Sequence, residues 1–219
     1  MIQTNILEYL EKTVKEVPDK TAYTDGKHGL TFAEVFHYSR AIGSYLSREG
    51  FYREPIVIYM KKSPEAVAAF YGAVYGRCFY VPFDEEMPEY RVSLILDTLK
   101  PRLIICDAYT EKKLIKIGFS GRCLRFEDAV KTEIQDGKLA EIREASMDTD
   151  PIYIVFTSGS TGVPKGVAAC HRSVLDYVEN LSRVLGFNRE TVFGNQSPLY
   201  FDACLKELYP TMMFGATTY

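Results

Sequence analysis

Ile6, Leu10, Val14 and Val17 recur at helical spacing through residues 5–17, and Pro18-Asp19 ends the run, which predicts a first helix. Thr31 and Glu34 form a T-x-x-E capping box, opening a second helix that Gly50 closes. Pro55 to Met60 reads as a short apolar strand, after which Ser63-Pro64 starts a helix of small residues ending near Gly76. The alternation continues with a strand at Cys78 to Phe83, a helix from Pro88 to Leu99 and a strand at Leu103 to Cys106. A weaker helix near Glu111, a strand around Leu124 and a strand at Tyr153 to Phe156 follow. Uncharged strands, each followed by an amphipathic helix, predict an α/β fold of mostly parallel sheets with helices on both faces. Asp128 to Asp150, the most polar stretch, reads as a surface connection with Asp136-Gly137 as a turn. Near the end, Asp202 can cap a helix running through Met213, Gly215 can close it, and Ala216 to Tyr219 begins a strand. A four-residue strand without a return connection leads us to expect a longer parent protein.

Composition narrows the class. With 47% hydrophobic and 25% charged residues among 219, and only 15 Gly and 10 Pro, the chain is globular and of one or two domains. The net charge of −3, with no cluster of Lys and Arg, disfavours nucleic-acid binding by electrostatics. The longest uncharged apolar stretch, Ala66 to Gly76, falls short of the roughly 20 residues a membrane span requires. The N-terminus has neither a basic n-region nor an apolar h-region. Five widely spaced cysteines without a C-x-x-C pair read as buried, reduced thiols of a cytoplasmic protein.

The strand at Tyr153 runs into Thr157-Ser158-Gly159-Ser160-Thr161-Gly162-Val163-Pro164-Lys165-Gly166, with three glycines, four hydroxyls and one lysine in ten residues. Glycines let backbone N–H groups converge on an anion, hydroxyls add donors, and Lys165 adds a compact positive charge. It is not a Walker A loop, because Gly166 stands where that motif places its magnesium-binding hydroxyl.

This loop resembles the signature of the adenylate-forming superfamily, which includes acyl-CoA synthetases, firefly luciferase and the adenylation domains of nonribosomal peptide synthetases. Leu30-Thr31-Phe32-Ala33-Glu34-Val35 is similar to the family's early L-T-Y-x-E-L motif. Tyr80-Val81-Pro82-Phe83-Asp84, with Pro88 and Arg91, resembles its A-Y-V-P-I-D-x-x-x-P-x-x-R segment, and His171 also fits. The resemblance spans essentially the whole chain and implies attack of a carboxylate on the α-phosphate of ATP with Mg2+. The acyl-adenylate would then pass to a phosphopantetheine thiol. Thr157, Ser158, Gly159, Ser160, Thr161, Gly162 and Lys165 would cradle the β- and γ-phosphates. No residue of this chain matches the family's catalytic lysine, and its adenine and ribose motifs are missing too, so residues 1–219 are expected to be the N-terminal portion of an adenylation domain, inactive alone.

Phe201-Asp202 looks like the motif whose aspartate holds the α-ammonium group in amino-acid-activating members, through a charge-assisted hydrogen bond. The bland alternative is a helix N-cap, and the two roles are compatible. An amino acid and a peptidyl or D-alanyl carrier protein are the implied partners. The stretch Asn195 to Asp202, followed by Glu207 to Pro210, is also similar to D-alanine:carrier protein ligases, while an acyl-CoA synthetase or a non-catalytic binding module of the same fold are further alternatives. Lys206, one turn beyond Asp202, can share its face and pair with a substrate carboxylate, which would favour an acidic amino acid over D-alanine; otherwise it is a solvated surface lysine. Cys204 departs from the serine usual in both groups. Cys170-His171 reads as a strand pair pointing to opposite faces, not a dyad, and His28 and His37 lack metal-ligand spacing. Asp84 to Glu86 reads as a solvated acidic turn, and Tyr71, Tyr75, Phe79 and Tyr80 as core.

Overall fold

The computed structural model describes residues 3–157 and 164–219. The expected alternation is present. Helix α1 (Leu7–Glu16) is followed by a hairpin of β1 (Thr21–Thr24) and β2 (Gly29–Thr31), then α2 (Phe32–Arg48), β3 (Pro55–Tyr59), α3 (Pro64–Tyr75) and β4 (Phe79–Phe83). Next come α4 (Glu89–Leu99), β5 (Leu103–Cys106), α5 (Ala108–Lys116) and β6 (Arg122–Arg125). The remainder comprises α6 (Phe126–Ala129), α7 (Asp136–Ala145), β7 (Pro151–Thr157), β8 (Lys165–Cys170), α8 (His171–Leu185), β9 (Val192–Phe193), α9 (Leu205–Phe214) and β10 (Thr217–Thr218).

The caps form as the sequence implies. The Thr31 hydroxyl accepts the Glu34 N–H while Glu34 accepts from the Thr31 N–H, and Ser63 accepts from Ala66. A six-stranded sheet runs in the order β6-β5-β3-β4-β7-β8, parallel except for the antiparallel edge β8. Its strands alternate between two cores. Ile56, Ile58 and Ile105 face α3, whereas Val57, Tyr59, Val81 and Ile104 face α4 and α5 through Val92, Ile95 and Leu114. Helices therefore cover both faces, and the apolar runs follow from that double burial.

Helix α3 is buried around almost its whole circumference, with Glu65 the exception. One side meets the sheet, where Phe70 stacks on Tyr80 with ring centroids 4.4 Å apart. Another meets α2 so closely that a Cβ on Gly72 would lie 2.6 Å from the Ile42 side chain, and one on Gly43 2.5 Å from Tyr75. The third meets a second sheet, ordered β2-β1-β10-β9, and its flanking α9. The Tyr71 hydroxyl donates to the Tyr23 hydroxyl at 2.7 Å, Tyr23 in turn donates to the Leu208 carbonyl at 2.7 Å, and Tyr80 pairs with Tyr209 at 2.9 Å.

Three expectations need correction. The polar stretch after Asp128 is not a plain connection: Asp136-Gly137 opens α7, which buries only Leu139 and so carries no apolar period to read. His171 does not continue a strand but begins α8. Asp202 makes no side-chain cap; it opens a 3-10 turn, Asp202–Cys204, closed by the Cys204 N–H on the Phe201 carbonyl, before α9. Gly215 does close α9, with φ of 69° in the left-handed region. The cysteines are free, with Cys78, Cys106 and Cys204 buried and Cys123 and Cys170 partly so.

The α2–α3 contact predicts that Gly72→Ala destabilises the protein by about 2 kcal/mol in urea unfolding, despite alanine's better helix propensity. Gly137→Ala in α7, where a Cβ meets nothing within 4 Å, is expected to stabilise by about 0.5–1 kcal/mol.

Candidate active site

From β4 the chain crosses to β5 on the far side of β3, while from β7 it turns outward into β8. Connections leaving two adjacent parallel strands in opposite directions open a crevice at their carboxyl ends. A cavity of about 670 Å3 lies there, floored by Val155, Phe156 and Thr157 of β7 and walled by Asp84, Arg91 and the Pro198–Asp202 segment. That volume suits a ligand of nucleotide or substrate size.

Thr157 sits exposed at the end of β7, and its hydroxyl donates to the Lys165 carbonyl at 3.4 Å, so the β7–β8 hairpin holds the two ends of the signature loop together. Ser158, Gly159, Ser160, Thr161 and Gly162 lie outside the described residues. Asp202 is exposed and lines the same cavity as Thr157. Its charge reaches inward: burial first, and then the Asp202 carboxylate, push the Tyr153 phenol up to about 12. Lys206 does not line this cavity; it is exposed, with its ammonium 3.6 Å from Glu207 Oε1. Cys204 is buried, its thiol donates to the Leu199 carbonyl at 3.6 Å, and burial pushes its pKa up to about 12, so it packs and does not act as a nucleophile.

Three residues, Arg91, Asp84 and Glu86, gain a place at the cavity from the fold. Arg91 donates from Nη2 to the Phe156 carbonyl at 3.1 Å, gripping β7 one residue before the loop and bringing a cation to the cavity wall. Asp84 and Glu86, read as a solvated turn, do form one, with Glu86 N–H donating to Asp84 Oδ1, yet both also line the cavity. The motif that runs from Tyr80 to Arg91 and contains Asp84 was the sequence signal for this wall.

The ten-residue loop's donors and Lys165 suit a polyphosphate. Among the described residues no group of three or more His, Cys, Asp or Glu could hold a metal ion.

The hairpin is clamped at the opposite end. Buried Asp150 accepts from Arg77 Nε at 2.7 Å and from the Met147 N–H at 3.1 Å. Burial works to raise its pKa, but these hydrogen bonds and the Arg77 and Arg53 charges outweigh it and hold the carboxyl below its usual value. Next to it, His171 is buried and its Nδ1 accepts the Ile6 N–H at 3.1 Å. The imidazole is thus a staple between α8 and α1, remote from the cavity.

A profile of the family described as AMP-binding enzyme matches residues 10–219. The chain belongs to that family. D-alanine--D-alanyl carrier protein ligase of Listeria monocytogenes serotype 4b (strain CLIP80459) is 28% identical over 218 residues, covering 98% of this chain and 42% of its own length. The same ligase of Bacillus cytotoxicus is 30% identical over 217 residues, covering 97% and 42%. The chain therefore spans less than half the length of these curated relatives. Among solved structures, the nonribosomal peptide synthetase FmoA3 superposes with a TM-score of 0.86 at 24% identity, over 98% of this chain and 22% of that one. VinN in complex with L-aspartate gives 0.83 at 23% identity, over 98% and 56%. These likenesses establish the shared fold. Among the described residues no helix is long and apolar enough to cross a membrane.

Burial, with the Arg143 charge second, lowers the His171 pKa from 6.5 to about 4 against the opposing pull of Asp150 and Asp148. The native state therefore holds a neutral imidazole, and the stability it confers is fully present above pH 6.5 and lost as pH falls toward 4. Unfolding free energy is expected to drop by roughly 3 kcal/mol over that window through this group, a slope that His171→Gln removes. Urea titrations of both proteins between pH 8 and 4 check it; equal slopes would refute the assignment.

Proposed function

We propose that this chain is the N-terminal portion of an enzyme that activates an amino acid with ATP as its aminoacyl-adenylate and transfers it to the phosphopantetheine thiol of a carrier protein. The observation that carries the reading is that Thr157 and Asp202, far apart in sequence, line one cavity at the carboxyl end of β7. In this reading the signature loop, Thr157 to Gly162 with Lys165, holds the β- and γ-phosphates that leave as pyrophosphate, and stabilising their charge is its main contribution. Asp202 holds the substrate ammonium and so orients the carboxylate toward the α-phosphate. Its exposure here implies that further walls, supplied outside residues 1–219, desolvate the pair.

The relatives bearing the name D-alanine--D-alanyl carrier protein ligase favour D-alanine as substrate. Lys206, the residue that spoke for an acidic substrate, stands outside the cavity beside Glu207, which removes the objection of an unpaired pocket cation. An acidic amino acid would require Lys206 to turn inward. An acyl-CoA synthetase has no ammonium to pair with Asp202.

ATP/pyrophosphate exchange tests the reading. Residues 1–219 alone are expected to give none, and the same domain extended to its relatives' length is expected to show exchange with D-alanine. Asp202→Ala should lower that exchange roughly 100-fold or more, the usual scale for removing one partner of a desolvated charge pair. Exchange with fatty acids that Asp202→Ala leaves intact would overturn it.

A further inference from the structure

The cavity wall that bears Asp202 is a loop, and a loop needs fixing if its aspartate is to meet a substrate at a set distance. Among the described residues, the segment just before that wall is held from three directions. Lys62, three residues beyond β3, donates from Nζ to the carbonyls of Asn195 at 2.7 Å and Ser197 at 3.0 Å, and its own N–H donates to Glu85 at 3.2 Å. Glu207 on α9, only 6% exposed, accepts from Asn195 Nδ2 at 3.0 Å. The Asn195 N–H donates to the Tyr219 carbonyl at 2.7 Å, which ties it to the end of β10. Lys62 thus reaches from the six-stranded sheet that carries Thr157 to the segment that leads into Asp202. Neither Lys62 nor Glu207 lines the 670 Å3 cavity.

A buried carboxylate is costly unless its partners repay the lost hydration, so Glu207 at this depth points to a geometric duty. We propose that Lys62 and Glu207 are positioning residues: together they fix Asn195 to Ser197 and thereby hold Asp202 in place across the cavity from Thr157. The purpose given to the tether rests on the amino-acid-activating reading, but its existence can be measured without turnover.

Amide hydrogen exchange on residues 1–219, followed by NMR at Asn195, Phe201 and Cys204, reads the segment directly, because each of these N–H groups is hydrogen-bonded in it. Lys62→Met is expected to speed their exchange about 10-fold while amides of α3 stay unchanged, the signature of a local opening. Lys62→Arg, which can still donate to both carbonyls, should restore the rates to within about twofold. Glu207→Gln keeps an acceptor for Asn195 and should match wild type, whereas Glu207→Met should speed exchange at the same three amides. If Glu207→Met fails to fold, the surface variant Lys62→Met decides alone. Unchanged rates in Lys62→Met, or acceleration spread equally through α3, would overturn the proposal. A loosened segment in a protein whose full-length form activates no amino acid would leave the tether standing and refute the functional reading instead.

Discussion

Helix α3 is the constraint on which the architecture depends. A helix apolar on all sides cannot rest on one sheet with its back to water; it requires a second layer. The six-stranded sheet supplies the first, and α2, β1 and α9 supply the second. Glycines at the α2 crossing allow a backbone approach that a methyl group would block, and tyrosine hydroxyls on the α9 side pair with each other and with Leu208 so that no phenol there is buried unsatisfied. Helix α3 thus separates the six-stranded sheet that carries Thr157 from the layer that carries Asp202.

That separation places a crevice where the topology would open one in any case. The strands β4 and β7 end side by side while their connections diverge, and the Asp202 segment closes the gap from the second layer. Forces on the β7–β8 hairpin are distributed unevenly. Its base is held by the Asp150–Arg77 pair and the His171 staple, and one strand end by Arg91. Such anchoring fixes the strands on either side of Thr157 and Lys165, as the proposed phosphate-binding role of the loop would require.

How much of this was legible in the sequence depended on whether a residue's role was local. Thr31-Glu34, Ser63-Pro64 and Gly215 act within a few residues of themselves, and the elements they bound were readable to within a residue or two. Helix α7 was not, because only Leu139 is buried and its Gly137 mimics a turn. The antiparallel turn of β8 and the start of α8 at His171 were missed because a buried histidine bonded to Ile6 leaves no mark in local periodicity. Thr157 and Asp202 both lie in motifs legible in the sequence, but their convergence on one cavity, with Arg91 and Asp84 beside them, arises from strand order. Lys206 illustrates the converse: helical spacing from Asp202 suggested a shared face, yet the 3-10 turn changes the rotation per residue, and Lys206 is absent from the cavity wall.

We propose that the end of the β7–β8 hairpin at Thr157 and the Asp202 wall form one anion- and ammonium-binding cleft. Titrating isotopically labelled residues 1–219 with magnesium pyrophosphate, and following backbone amides by NMR, tests it most directly. The account predicts saturable shifts centred on Thr157, Lys165 and Arg91, extending to Asp202 and absent from His171 and Asp150. Shifts centred on the hairpin base, or no saturable change near Thr157, would contradict it.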